Sequence, residues 1–183
     1  MPRVLVPLAE GCEELEAITI IDLLRRGGIE VVVAGLKPGI VRASRGVQIV
    51  PDVTLDLALQ DSYDMLVLPG GMPGAAHLKD DPRILDLIRR MAAAGKYTAA
   101  ICAAPTVLLE AGILAGRQAT GYPGFLDTLN PPGVTVSAAP VVADGTVITS
   151  RGPGTAMDFA LVLVEVLQGA EVRGKVEAGL VRA

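Results

Sequence analysis

The side chain with the most chemical potential in this chain is Cys102, set in Ala99-Ala100-Ile101-Cys102-Ala103-Ala104-Pro105. The apolar run Tyr97 to Ile101 reads as a short buried strand, and a helical run, Pro105 to Ala111, begins almost at once. A cysteine at such a junction sits on a tight turn with its sulfur at the helix start. Unpaired N–H groups and the positive end of the helix dipole there favour the thiolate. Thiolate is the form that attacks carbonyls and that peroxide oxidises. The layout parallels the nucleophile elbow of hydrolases. An inert buried cysteine is the competing reading, since free cysteine is among the most often buried residues.

Three further segments could serve that sulfur. Gly11-Cys12-Glu13-Glu14-Leu15-Glu16 places three carboxylates at the start of the first helix. Acids in a first turn complement the helix dipole, which accounts for Glu13 and Glu14 as solvated groups. A carboxyl close to Cys102 has a different use. Ionised, it opposes the thiolate; buried and protonated, it donates a hydrogen bond to sulfur and can give and take a proton. Pro69-Gly70-Gly71 ends a strand with two residues lacking Cβ. It is either a simple turn or a source of backbone donors which, with the N–H of Ala103, would form an oxyanion hole. Arg151-Gly152-Pro153-Gly154-Thr155 could hold an anion at a helix start, although such a run is more often a cap. Cys12 is a candidate resolving thiol, weighed against an unpaired small side chain. His77, the single histidine, falls in a polar stretch and reads as a surface residue in a loop rather than as the base of a cysteine hydrolase.

Elements that would position these groups are legible from the periodicity. Strands are expected at Val4 to Leu8, Glu30 to Gly35, Met65 to Leu68 and Tyr97 to Ile101, with helices over Glu13 to Arg26, Pro82 to Ala94 and Thr155 to Leu167. Ile40 to Ala43 and Val47 to Val50 flank Ser44-Arg45-Gly46 as a small hairpin, and Asp144-Gly145 marks another between Val141 and Ile148. Short strands are also expected at Gln118 to Gly121 and Val134 to Val136. Apolar strands alternating with helices imply an α/β fold, a mainly parallel sheet with helices on both faces, over one domain spanning 1–183. In such sheets, sites form at the carboxyl ends of the strands, which is where the loops after three of these strands carry Glu10 to Glu16, Pro69-Gly70-Gly71 and Cys102.

Composition bounds the rest. Half of the 183 residues are hydrophobic (51%) and 20% are charged, with a formal net charge of −4, as in a folded globular chain. No lysine- or arginine-rich run and no aromatic platform is present, which disfavours nucleic acid as a partner. No apolar stretch approaches a membrane span, the amino-terminal apolar run is short for a signal peptide, and two cysteines do not make a disulfide framework. A cytoplasmic location and no membrane partner are the expectation. One histidine and two separated cysteines fall short of a metal-ligand set.

Taken together, these segments resemble the ThiJ/PfpI superfamily, and within it the DJ-one branch. The resemblance runs the length of the chain, through Gly11 to Glu16, Asp22-Leu23-Leu24-Arg25-Arg26-Gly27-Gly28-Ile29, Val33-Ala34-Gly35, Ser44-Arg45, Tyr63-Asp64, Val67 to Gly71, Ala99 to Thr106 and Thr149 to Thr155. It implies a flavodoxin-like three-layer sandwich that forms a homodimer and needs no cofactor. It implies that Cys102 is the nucleophile and the peroxide-sensitive group, and that Glu16 is the protonated carboxyl beside it. Gly70, Gly71 and Ala103 would bind the substrate oxygen, with Tyr122, Arg45 and Arg26 near the site. The implied activity is cysteine-dependent conversion of glyoxals such as methylglyoxal to hydroxy acids, or deglycation of proteins. The alternative is a redox sensor or redox-regulated chaperone in which Cys102 becomes a sulfinate. Two departures stand out. The residue after the nucleophile is Ala103, where the protease-like branch has histidine, which argues against peptidase activity. Tyr122 stands where animal members carry a histidine; a tyrosine donates a hydrogen bond but is a poor base near neutral pH.

Overall fold

In the computed structural model, which describes residues 1–182, the chain alternates strand and helix from its start. Strand β1 (Arg3–Leu8) leads to α1 (Glu14–Arg26), then β2 (Glu30–Gly35), the short pair β3 (Val41–Arg42) and β4 (Gln48–Ile49), β5 (Val53–Thr54) and α2 (Leu55–Ala58). There follow β6 (Met65–Leu68), α3 (Gly74–Asp80), α4 (Pro82–Ala93), β7 (Tyr97–Ile101) and α5 (Pro105–Glu110). The last third holds β8 (Gln118–Ala119), α6 (Leu126–Leu129), β9 (Thr135–Val136), β10 (Val141–Asp144) and β11 (Val147–Ser150). A 3₁₀ turn (Pro153–Thr155), α7 (Ala156–Gln168) and α8 (Ala170–Gly179) complete it.

The main sheet has seven strands in the order β10-β11-β7-β6-β1-β2-β5. Every pairing is parallel except that of β10 with β11. Among β1, β2, β6, β7 and β11 the spatial order is second, first, third, fourth, fifth, the doubly wound arrangement of flavodoxin-like folds. Burial explains the runs of apolar residues. Val4, Val6 and Leu8 of β1 pack on α1 and α7 in one layer, with Ile20, Leu24, Phe159 and Leu163. Leu5 of the same strand points the other way, into the layer of α2 to α5, with Leu66, Leu78, Ile84, Ile88 and Leu108. Strands covered on both faces cannot alternate apolar with polar, so they read as continuous apolar stretches.

Several expectations are met closely and some are corrected. Strands β2, β6 and β7 have the expected limits, and α1 and α4 differ by a residue at one end. His77 lies on α3 rather than in a loop, although it is exposed as expected. The stretch lacks a strong apolar stripe; burial of Leu78 in the second layer and of Ala75 in the first is what makes it helical. Helix α8 was not expected, because its one fully buried side chain, Val176, gives almost no periodicity. Ion pairs Lys175–Glu171 and Arg173–Glu165 support it instead. In the β10–β11 hairpin Asp144 pairs with Val147, so the loop is Gly145-Thr146, one residue later than the Asp-Gly signal implied. Among the described residues, no helix is long and apolar enough to cross a membrane.

The layer that carries α1 depends on Phe159, which is fully buried. Truncation to alanine removes a large aromatic contact and leaves a cavity, so Phe159→Ala is expected to lower unfolding free energy by about 3–5 kcal/mol. Urea denaturation of the two proteins checks this; a loss under about 1 kcal/mol would show that α7 is not what anchors this layer.

Candidate active site at the cysteine elbow

Strand β7 delivers Cys102 to the carboxyl edge of the sheet in a left-handed conformation, φ 65°, which non-glycine residues rarely adopt. Neighbouring backbone holds it there. Its N–H donates to the Ser150 carbonyl at the end of β11 (3.0 Å), and its carbonyl accepts the Tyr122 N–H (2.8 Å). Tyr122 was singled out for its phenol and Ser150 was not a candidate; both hold the elbow through backbone atoms, which leave no side-chain signature in a sequence. The strain turns the side chain toward the loops after β1 and β6, which flank the point where the strand order reverses. The sulfur sits at the start of the short helix α5.

Two glycines let these loops meet. A Cβ on Gly70 would stand 2.7 Å from the Cys102 Cβ and 2.9 Å from Glu16 Oε2. Gly71 has φ +87°, and a Cβ there would fall 2.3 Å from the Glu13 nitrogen. No side chain fits at either position. Beyond a turn, Pro69-Gly70-Gly71 thus provides a close approach of backbone to the Cys102 and Glu16 side chains and to the loop after β1. The donors divide. Gly70 N–H is taken by Glu16 Oε2 (2.8 Å), whereas the N–H groups of Gly71 and Ala103 hydrogen-bond toward the Cys102 sulfur. Gly71 and Ala103, not Gly70, are the pair placed to bind an oxygen attached beside that sulfur.

Glu16 lies in the first turn of α1 but points inward and is wholly buried. Its Oε2 is satisfied by Gly70, while Oε1 is buried without a hydrogen-bond partner in the folded chain. Burial pushes the Glu16 carboxyl up to about 7, against the lowering effect of the Gly70 N–H and of Cys102. Burial likewise pushes the Cys102 thiol up to about 12, helped by repulsion from ionised Glu16 and opposed by the Gly71 and Ala103 N–H groups. This corrects the simple expectation that a helix start favours thiolate. Helix α5 has only six residues, and burial of the sulfur together with the facing Glu16 carboxylate acts in the opposite direction. The two groups titrate together. Glu16 carboxylate with Cys102 thiol, and neutral Glu16 with Cys102 thiolate, carry the same charge and differ by one proton moved between the two. With the carboxyl neutral its repulsion vanishes and its O–H becomes a donor to sulfur.

Glu13 and Glu14 do not join this pair. Both accept the Ser44 hydroxyl (3.0 Å each), and Glu14 also accepts the Arg45 N–H (2.9 Å), so they pin the β3–β4 hairpin against α1. Arg45 itself is exposed on that hairpin. Arg26 is ten residues beyond Glu16 on the same helix, about 15 Å by helical rise, and pairs with Asp22. The fold therefore does not bring Arg26 to the sulfur. Cys12 is buried and unbonded, as is Cys102. The run Arg151 to Thr155 forms a cap: Thr155 N–H and hydroxyl both donate to the Gly152 carbonyl (2.9 Å each). Tyr122 is 47% exposed beside the elbow, with its ring edge-on to Phe125 at 6.3 Å. The larger of two cavities near the strand ends, about 530 Å³, is lined by His77, Leu36 and Arg83 rather than by Cys102. Among the described residues no group of three His, Cys, Asp or Glu side chains is placed to hold a metal.

An α/β sheet with a strained cysteine elbow, a buried carboxyl and paired backbone donors defines a class of reactive-cysteine proteins, and comparison with known proteins narrows it. The DJ-1/PfpI family model matches residues 2–166, and the chain belongs to that family. It is 46% identical to the protein dj-1beta of Drosophila melanogaster over 180 residues, covering 98% of this chain and 96% of the relative. The crystal structure of that relative superposes with a TM-score of 0.95, over 100% of this chain and 98% of the other, at 43% identity. A structure of oxidized Toxoplasma gondii DJ-1 also has a TM-score of 0.95, at 42% identity and covering all of both chains. The chain is also 41% identical over 162 residues to the glutathione-independent glyoxalase DJR-1.2 of Caenorhabditis elegans, covering 88% of this chain and 86% of that one.

Burial of Glu16 carries a pH signature. An unfolded carboxyl titrates near 4.5 and the folded one near 7, so between these values the native state holds a proton that the unfolded state has lost. Stability from this group is complete below pH 4.5 and declines up to pH 7, by about 3 kcal/mol. Urea denaturation at pH 4.5 and 7.5 is expected to show that loss in the wild type and not in Glu16→Gln. An equal pH dependence in both proteins would mean that Glu16 is not the buried proton carrier.

Proposed function

We propose that this protein is a cysteine-dependent glyoxalase, or a deglycase on protein adducts, that acts on small reactive carbonyls such as methylglyoxal. The observation that carries this reading is the buried Glu16 carboxyl, shifted to about 7, beside a nucleophile flanked by two directed N–H groups. A carboxyl that titrates near neutrality is suited both to accept and to return a proton at working pH. The relative named as a glutathione-independent glyoxalase supports the same assignment.

Glu16 takes the thiol proton as the Cys102 sulfur attacks the aldehyde carbon of methylglyoxal. Glu16 passes that proton to the adduct oxygen, which the Gly71 and Ala103 N–H groups hold, so a hemithioacetal forms and the carboxylate is restored. Glu16 then removes the hydrogen on that carbon as a proton and returns it to the neighbouring carbonyl carbon, while the hydroxyl proton of the adduct passes to the oxygen of that carbonyl. This isomerises the adduct to the thioester of a 2-hydroxy acid. Water cleaves the carbon–sulfur bond, releases lactate and restores the thiol. The sum is one aldehyde plus one water, with no external oxidant, reductant or metal in the balance. Tyr122 contributes a hydroxyl donor at the rim.

A second copy of the chain is the proposed partner. Leu15 and Ile18 on α1, Val47 on the hairpin and Met157 on α7 are all large, apolar and roughly half exposed. The hairpin is pinned to α1, and α1 packs on α7, so these side chains share one face. Ile18→Glu is expected to yield a folded monomer in sedimentation equilibrium where the wild type is a dimer; a dimeric variant would place the interface elsewhere.

A redox role is the second reading, since the same N–H groups and neutral Glu16 would also hold the oxygens of a Cys102 sulfinate. The oxidized Toxoplasma relative favours keeping it. Methylglyoxal consumption with product identification separates the two. Many lactate molecules per subunit are expected, abolished in Cys102→Ser and lowered about 10²–10⁴-fold in Glu16→Gln. At most one adduct per subunit would sink the enzymatic reading and leave peroxide oxidation of Cys102 as the function.

A further inference from the structure

A second cavity, of about 370 Å³, opens beside the elbow and has no part in the chemistry above. It lies between the segment Gly121 to Asn130 and strand β9, and its size falls in the range of small-molecule sites. Tyr122 is the partition. Its N–H is bonded to the Cys102 carbonyl (2.8 Å), its ring rests on Gly152, where a Cβ would stand 3.1 Å from Cδ2, and it lines the cavity.

The polar side chains facing this space are Tyr122, Asp127, Asn130, Ser137 and Arg151. They offer a phenol, a carboxylate, an amide, a hydroxyl and a guanidinium. Several are already fixed by other bonds. Arg151 Nη1 donates to the Ala138 carbonyl (3.0 Å), Asp127 Oδ1 accepts the N–H groups of Gly124 (2.8 Å) and Thr128 (3.0 Å), and Ser137 accepts from Ala139 N–H (3.1 Å). Arg151 makes no ion pair with an acid among the described residues, which leaves its remaining donors for a ligand.

Mixed donors and acceptors on one wall, with an aromatic face at the entrance, suit a chain of hydroxyl groups. Each hydroxyl both gives and accepts a hydrogen bond, so it can meet a guanidinium and a carboxylate in turn. A phosphate or other multiply charged tail is disfavoured by Asp127, which would repel it inside the same space. A purely apolar tail would offer no partner to the Tyr122 hydroxyl, the Asn130 amide and the remaining donors of Arg151.

We infer that this cavity is a tail-binding subsite for hydroxylated 2-oxoaldehydes of the kind sugars yield on breakdown, with their dicarbonyl end at Cys102 and their hydroxyl chain past Tyr122 on Arg151, Asn130 and Asp127. The inference rests on the glyoxalase reading and names its substrate class. The chemistry is unchanged: sulfur bonds to C1, the hydrogen of C1 moves as a proton to C2, and water replaces sulfur at C1. The product is a 2-hydroxy acid with its tail intact, and no net oxidation occurs.

Two measurements test it. The first compares kcat/KM for 3-deoxyglucosone and for methylglyoxal in the wild type, Arg151→Met and Asn130→Ala. Arg151→Met is expected to lower the ratio of the two by at least about tenfold, the worth of one hydrogen bond to a charged group, with Asn130→Ala in the same direction and Arg151→Lys in part restoring it. A ratio unchanged in the Met and Ala variants overturns the subsite. The second is independent of turnover: calorimetric binding of gluconate and of lactate to Cys102→Ser. Gluconate is expected to bind at least about tenfold tighter, an advantage lost when Arg151→Met is added. Equal binding of the two acids, or tighter binding of inorganic phosphate than of gluconate, overturns the inference. Failure of methylglyoxal turnover alone counts against the glyoxalase reading, while the gluconate comparison still decides the subsite.

Discussion

Everything at this site follows from the placement of one carboxyl where water does not reach. Glu16 is wholly buried, and a buried carboxylate is costly unless it is paired or protonated. No lysine or arginine neutralises it. The fold instead supplies one N–H from Gly70 and the Cys102 sulfur, which shares its proton. The penalty brings the carboxyl to about 7, where it can hold a proton and also release one. The same burial raises the thiol, so the two groups titrate as a pair rather than singly.

That pair exists only because three loops converge without side chains between them. Gly70 and Gly71 have no room for a Cβ, and Gly74, whose Cβ would stand 2.6 Å from the Cys12 nitrogen, keeps the next turn equally tight. Backbone bonds complete the clamp, with the Glu13 N–H donating to Gly70 (2.9 Å) and the Gly11 N–H to Arg42 (2.8 Å). The Glu13–Glu14–Ser44 contacts then tie the hairpin to the start of α1. Acids at this helix start thus do two different jobs within four residues, and only orientation separates them. Glu16 faces the core, whereas Glu13 and Glu14 face the hairpin.

The position of the clamp in the sheet is equally constrained. Loops that leave β1 and β6 diverge to opposite sides because the strand order reverses there, which opens a crevice that helices do not cover. Cys102, one strand further along, must turn back to reach it. The left-handed φ at the elbow makes that turn, and the bonds to Ser150 and Tyr122 hold it. The second cavity follows from this, because the segment that carries Tyr122 passes directly beside the elbow on its way to β9.

The sequence by itself determined the α/β architecture and singled out Cys102 as the candidate nucleophile. Strands buried on both faces must be apolar throughout, as Met65 to Leu68 and Tyr97 to Ile101 are, and a cysteine between such a strand and a helix has few other conformations open to it. Family resemblance, carried by motifs spread along the chain, pointed to Glu16 and to the glycines. What the sequence did not hold was direction and environment. Glu13, Glu14 and Glu16 look alike until the helix is rotated against the sheet. The donors divide between Gly70 and Gly71 only when both loops are in place. Helix α8, with a single fully buried side chain, has too little amphipathic pattern to announce itself. The thiol's raised pKa was likewise decided in three dimensions. A helix dipole is a local property that the sequence reveals, whereas desolvation depends on every residue the fold packs around the sulfur.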